Sequence, residues 1–242
     1  MKSYPDRAVV IRTWPLGESD RIVNLFTLGH GKLRAVAKGV RGPKSRISGL
    51  VQPTSELDLL LYRGRELDVI QQASLLQANM ARAGVDPSQF GAALELLEAI
   101  DSLTLDRHPN PTVYALMIRG LAMMLDEPRP TLLGALLLRL LEIEGYAPNL
   151  AACGLCGSVG QYYGFDFASS APRCAGCGGE PVVPAVLVMS AAVLAHRVSE
   201  VLAEPDPSRD FEAFVIRLVK EVVGRGLRSS GVIASLGVSQ PL

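Results

Sequence analysis

The sequence predicts a multidomain α+β protein: an N-terminal five-stranded OB-fold barrel, a helical bundle, and a four-cysteine, zinc-ribbon-like module inserted between helices. Three observations predict it. Residues 7–76 carry apolar positions with a period of two between turn signals. From Asp86 onward the apolar period becomes helical. Two Cys-x-x-Cys pairs, Cys153/Cys156 and Cys174/Cys177, then interrupt the helical pattern in a glycine-rich stretch. The expected boundaries are 1–80 for the barrel, 81–149 with 185–242 for the bundle, and 150–184 for the cysteine module.

A chain of 242 residues, 48% hydrophobic and 20% charged, has ample core for such an arrangement and is not a disordered polymer. Residues 1–6 are polar, and the apolar stretch after them is short and broken by Arg12. The greasiest run, 132–143, contains Arg139 and is too short to cross a bilayer. A soluble, cytoplasmic protein is therefore expected. The formal net charge of +0 conceals a polarity along the chain: residues 1–80 hold 12 Lys+Arg against 7 Asp+Glu, and the remainder holds 12 against 17. No acid lies between Asp20 and Glu56, a stretch that carries Arg21, Lys32, Arg34, Lys38, Arg41, Lys44 and Arg46. A basic module joined to an acidic body predicts one half that meets a polyanion.

Taken in order, 7–14 and 21–28 are rich in β-formers, and Gly29-His30-Gly31 makes a turn. In 33–38 the residues Leu33, Ala35 and Ala37 share one face, and Arg34, Val36 and Lys38 the other. Residues 40–53 form a loop of Gly, Pro, Ser and cations. A hairpin follows around Arg63-Gly64-Arg65, with strands expected over 56–62 and 66–72. Its alternation puts Leu57, Leu59, Leu61, Leu67 and Val69 inside, and Glu56, Asp58, Glu66 and Asp68 outside. Five short antiparallel strands in so few residues fit an OB-fold, with an SH3-like barrel as the competitor.

Asp86-Pro87 and Asn110-Pro111 each pair an N-cap with a first-turn proline, opening helices expected to end near Leu103 and Leu125. Pro130-Thr131 opens a third, to Gly145, apolar nearly all round and so destined for the middle of a bundle. Two further helices are expected over 190–203 and 208–227, with a frayed tail after them.

Two constellations carry chemistry. Cys153-x-x-Cys156 and Cys174-x-x-Cys177 have the spacing of a four-thiolate zinc site, in which each pair supplies two ligands from one tight turn. Each pair is followed by glycine (Gly157; Gly178-Gly179), which a knuckle with positive φ needs. Four thiolates leave no open coordination place, so this Zn2+ would be structural. The second constellation is Lys32, Arg34, Lys38, Arg41, Lys44 and Arg46, cations on a strand and its trailing glycine-containing loop, suited to phosphates. The acidic outer face of the 56–68 hairpin restricts a nucleic-acid path to the first three strands and that loop. Tyr4, Trp14, Phe26 and Tyr62 are the barrel's only aromatics, and Trp14 reads as packing. Such a ring-poor module should grip the backbone and leave bases free. Catalysis finds little support: His30, His108 and His196 lie in different segments, no phosphate-loop motif occurs, and Glu142 and Glu144 face different directions.

With these modules in this order, the chain resembles the RecO family of bacterial recombination and repair mediators. The resemblance is carried by Glu18-Ser19-Asp20, Leu25-Phe26-Thr27, Gly31-Lys32, Ala37-Lys38-Gly39-Val40-Arg41, Lys44-Ser45-Arg46, Ser55-Glu56-Leu57 and Leu61-Tyr62. It implies binding of single- and double-stranded DNA, annealing of complementary strands, and work with RecR, and in some pathways RecF, to load RecA onto DNA covered by single-strand-binding protein. By residue match it gives DNA contact to Lys38, Arg41, Lys44 and Arg46, with Lys32 and Arg34 as neighbours, and Zn2+ to Cys153, Cys156, Cys174 and Cys177. The competing readings from the residues alone are a protein-interaction adaptor working through its acidic helices and, last, a zinc-dependent enzyme.

Overall fold

In the computed structural model, which describes residues 2–42, 45, 47–77, 86–126, 129, 131–203 and 208–224, five strands close into a barrel. They are β1 (Ser3–Leu16), β2 (Asp20–Thr27), β3 (Gly31–Ala37), β4 (Glu56–Tyr62) and β5 (Asp68–Gln77), in spatial order β1-β2-β3-β5-β4. Neighbours are antiparallel except β3 and β5, which run parallel. This is the OB-like arrangement. Alternate residues of each strand fill the interior: Val23, Leu25, Leu33, Ala35, Ala37, Leu57, Leu59, Leu61 and Ile70. The loop after β3 joins them, because its Val40 and Val51 are buried in the same cluster, with Ile47 and Leu50 packed against it.

The β4–β5 hairpin departs from its expected parity. The connection occupies 63–67, so β5 starts at Asp68, and Asp68 and Ile70 are buried while Val69 lies half-buried on the outer face. The strand tolerates a wholly buried carboxylate there because three donors meet it. The Tyr4 hydroxyl and Arg107 Nη2 (2.8 Å) donate to it, and Gly64 N donates at 3.2 Å.

α1 (Pro87–Leu103) and α2 (Pro111–Asp126) complete the first compact unit, which holds the described residues up to 126. Asp86 caps α1 as anticipated: Ser88 N donates to its side chain at 2.7 Å, and the Gln89 side chain accepts from Asp86 N. Asn110 Oδ1 accepts from Thr112 N and Val113 N at the start of α2. Val9, Asn24 and Phe26 point out of the barrel yet are buried, and a hydrogen bond to α1 identifies the cover: Asn24 Nδ2 donates to Asp101 Oδ1 at 2.8 Å. Tyr114 of α2 donates to Glu56 at 3.1 Å. Residues 87–126 therefore group with the barrel by contact, where the helical period alone groups them with the later helices.

The second unit holds the described residues from 129 to 224. Its elements are α3 (Leu132–Ile143), the short strands β6 (Gly164–Asp166), β7 (Ala171–Arg173) and β8 (Glu180–Pro181), then α4 (Pro184–Leu194), α5 (Val198–Ala203) and α6 (Ser208–Val223). α3 is buried almost throughout and borders α4, α5 and α6, the central place its composition predicts. The single helix expected over 190–203 is in fact two. His196 turns left-handed (φ 60), and Arg197 N returns to Ala192 O at 2.9 Å, which ends α4 and restarts the chain as α5. Val183-Pro184, overlooked as a start signal, opens α4.

Two tests follow from the barrel's closure. Gly31 has φ +69, and a Cβ there would stand 2.2 Å from the His108 carbonyl oxygen. Gly31→Ala should therefore lose at least about 2 kcal/mol of stability, read as a lowered thermal midpoint. For Asp68, burial alone pushes the carboxyl up, but hydrogen bonds from Arg107 and Tyr4 outweigh it and hold the pKa below 3.8. A carboxylate depressed in this way contributes stability above its unfolded pKa and loses it as pH falls through the lower folded value. Urea midpoints should accordingly drop on acidification below about pH 4, with a shallower acid slope in Asp68→Asn.

Candidate nucleic-acid interface and metal centre

The turn between β1 and β2 and the turn after β3 are tied together. Gly39 N donates to Asp20 Oδ1 at 2.8 Å, Arg41 N donates to Ser19 O at 2.9 Å, and Arg41 Nη1 donates to Gly17 O at 2.9 Å. The bond from Gly39, then that from Ser19, hold the Asp20 carboxyl below its ordinary range, with attraction from Lys38 added. The Glu18-Ser19-Asp20 and Ala37–Arg41 motifs are thus two halves of one clasp. It sets Lys38 and Arg41, both exposed, at the end of β3.

The remaining expected contacts divide. Arg34 is exposed on the outer face of β3 and, like Lys38, makes no ion pair among the described residues. Lys32 is different: its side chain is only 11% exposed. Its Nζ donates to the carbonyls of Asp101 and Thr104 at the C-terminal end of α1, and it lies 3.5 Å from Asp101 Oδ1 and 3.3 Å from Asp106 Oδ1. A cation at a helix C-terminus meets the unpaired carbonyls there, so Lys32 is a strut between strand and helix and not an open phosphate contact. Lys44 and Arg46 lie outside the described residues.

Strand register defines the face further. Arg12, Asn24 and Arg34 stand side by side across β1, β2 and β3, and Trp14, Ile22 and Val36 form the next outward row. α1 covers the face as far as Asn24, while Trp14, Ile22 and Val36 are half-buried. Against Trp14 and Ile22 lies a cleft of about 470 Å3, also lined by Leu33, Arg34, Leu67 and Arg107. The Arg12 guanidinium lies 5.2 Å from the Trp14 ring centroid. Sequence reasoning did not single out Arg12 or Arg107, and it read Trp14 as packing. For Arg12 and Trp14 a signal was available, since they occupy alternate positions of one strand. For Arg107 there was none, since it arrives from the α1–α2 connection.

In the second unit, Cys153 and Cys156 lie on one turn and Cys174 and Cys177 on another, and their four sulfurs are all within 4.8 Å of one another. Cys156 and Cys174 Sγ are 3.7 Å apart. A tetrahedral ion with metal–sulfur bonds of about 2.3 Å needs sulfur–sulfur edges of about 3.8 Å, so the set fits one soft cation. Gly157 (φ 72) and Gly178 (φ 69) supply the left-handed knuckles. Backbone N–H groups, first Cys156 and then Cys174 and Leu155, aim at Cys153 and bring its pKa down to about 5. Hydrogen bonding to Cys156, then to Cys174, pushes Cys177 up to about 12.

Arg173 supports the same fit. Its Nη2 is bound to Asp166, while its buried Nη1 has no nitrogen or oxygen partner among the described residues and adjoins Gly154, beside Cys153. Phe165 and Phe167 of the module pack on Phe214 of α6 at 4.9 and 5.4 Å between centroids, and Arg217 both covers Phe167 and binds Glu180. The cluster is therefore anchored to a helix. If Arg173 offsets thiolate charge, Arg173→Met should release bound metal more readily, by about 10-fold or more, in competition with a chromogenic chelator.

Comparison with known proteins accords with this geometry. The family model for the Recombination protein O N-terminal region matches residues 1–79, and that for its C-terminal region matches residues 85–231. A relative from Cutibacterium acnes, described as DNA repair protein RecO, is 41% identical over 184 residues, covering 73% of this chain and 75% of its own length.

Proposed function

The chain belongs to the RecO family of DNA repair proteins, and from that premise we propose that it is a DNA-binding recombination mediator without a catalytic centre. In this reading the barrel holds single- and double-stranded DNA by its phosphates, and complementary strands anneal on it. With RecR, and with RecF where that protein takes part, it loads RecA onto cytoplasmic DNA coated by single-strand-binding protein. One observation carries the reading. Arg34, Lys38 and Arg41 are exposed on or beside the outer face of β3, and none is closed off by an ion pair among the described residues. Lys44 and Arg46 extend the series in sequence.

The four cysteines would hold one structural Zn2+. All of the donors are thiolates, so the ion keeps the module folded and offers no place to a substrate. The histidines give no support to an enzyme: His30 is bound to Asp6 at 2.6 Å, and His196 stands beside Arg139. Among the described residues no helix is long and apolar enough to cross a membrane.

A second reading, a zinc-containing adaptor, is favoured by one feature of the second unit. A mostly apolar groove of about 450 Å3 runs between Tyr162, Tyr163 and α4, where it is lined by the buried Leu187 and the exposed Val188.

Salt and charge reversal separate the two readings. Five phosphate contacts from Arg34, Lys38, Arg41, Lys44 and Arg46 give a log–log salt slope of about −3.5 on single strands, at about −0.7 each. The double variant Lys38→Glu, Arg41→Glu should bind oligonucleotides many-fold more weakly and melt as the parent does. Unchanged affinity in that variant removes the mediator reading.

A further inference from the structure

The proposed function accounts for the cations but leaves the cleft beside Trp14 without a task. We infer that this cleft takes one unstacked nucleobase of a bound single strand, with Trp14 as its stacking surface. The inference rests on the nucleic-acid reading above and deepens it, since it names which part of the strand enters the protein.

The apolar part of the cleft lining is Trp14, Ile22, Leu33 and Leu67. Trp14, Ile22 and Val36 form one outward row across three neighbouring strands, all half-buried and left uncovered by α1. Burying a large ring on an outer strand face is favourable only if something apolar covers it. Arg12 holds the indole from one side at 5.2 Å, and the cleft lies against it. A volume of about 470 Å3 is in the range of small-molecule clefts. It has room for one base with its sugar and none for a duplex.

The charges sort the parts of a nucleotide. Two cations in the cleft wall are already engaged: Lys32 by Asp101 and Asp106, and Arg107 by Asp68. Glu66, also in the lining, is exposed and unpaired among the described residues. A phosphate beside that carboxylate would be repelled by it. A base would not, and the exocyclic amino group of cytosine or adenine could donate to the carboxylate. Of the open cations, Arg34 lines the cleft itself, and Lys38 and Arg41 are exposed just after the same strand, where the sugar–phosphate chain of a base inserted on Trp14 would pass. With Lys32 and Arg107 already paired inside the cleft, the cations left for the backbone are these three.

Trp14 is the chain's one tryptophan, so its emission reports this site alone. The full-length protein is titrated with oligo(dC), with an abasic oligonucleotide of equal length and with heparin, while anisotropy of labelled strands reports binding separately. Oligo(dC) should quench the emission strongly. The abasic strand and heparin should bind through the cations and leave it nearly unchanged. Trp14→Ala should weaken oligo(dC) by about 10-fold and leave the abasic strand's affinity as it was, and Trp14→Phe, which keeps a ring, should restore most of the loss. Equal quenching by abasic strand or heparin, or an equal loss of affinity for both strands in Trp14→Ala with Trp14→Phe no better, overturns the inference. Strands that bind tightly without quenching overturn it alone. Failure of every strand to bind overturns the nucleic-acid reading itself.

Discussion

A five-stranded barrel of this order must join β3 to β5 to close, and here that joint is only two residue pairs long, Ala35 with Asp68 and Val36 with Val69. Much of what is distinctive in the first unit serves that short seam. The connection between α1 and α2 lies along the rest of β3, with Arg107 N donating to Lys32 O at 2.7 Å and Asp106 bridged to Lys32. Only glycine at position 31 allows His108 so close. Arg107 then reaches Asp68, which also gathers Tyr4 from β1 and Gly64 from the hairpin loop. A buried carboxylate with this many donors is costly to lose and gains little from replacement by one partner alone. The closure of the barrel and the docking of the helices therefore share the same residues.

That joint also decides which cations remain available. Lys32 stands on the seam and is drawn into it by the carbonyl ends of α1. Arg34, two residues on, has passed beyond the helix, and Lys38 and Arg41 belong to the clasp between turns. Charge counting along the chain treats these residues alike. Geometry divides them by burial and ion pairing: Lys32 is nearly buried against two carboxylates, while Arg34, Lys38 and Arg41 are exposed and meet none among the described residues.

The cysteine site was fully legible in the sequence because four ligands at fixed spacing are a local property, and the sulfurs indeed converge. So were the helix starts at Asp86 and Asn110, whose caps involve residues two or three apart. Strand alternation gave β3 correctly, since Leu33, Ala35 and Ala37 all enter the core. It failed at β5, where leucine and valine were read as inward and Asp68 as outward. The competing term was a set of partners 4, 39 and 64 residues away, which no local pattern contains. The break at His196 was hidden for a different reason. A left-handed residue other than glycine leaves no compositional mark. The outward row of Trp14, Ile22 and Val36 needed the register of three strands, and a bulge between Val10 and Arg12 shifts that register by one.

A strand-annealing protein faces opposed demands: it must hold a single strand firmly enough to shield it from its own folding, yet leave pairing edges accessible. An OB barrel rich in stacking rings meets the first demand by occupying the bases, at about 1–3 kcal/mol each. This barrel has few rings, and Tyr4 is already committed to Asp68. Holding the strand by its phosphates satisfies the second demand, because phosphate contacts carry no base information and leave base edges free. Phosphate contacts alone permit sliding, so such a strand would have no register on the protein. A single stacked base removes that freedom at the cost of one pairing position, while its neighbours stay exposed to a complementary strand. On the proposed reading, one ring among several cations would divide the labour: the cations would set affinity and its salt dependence, and the ring would set position.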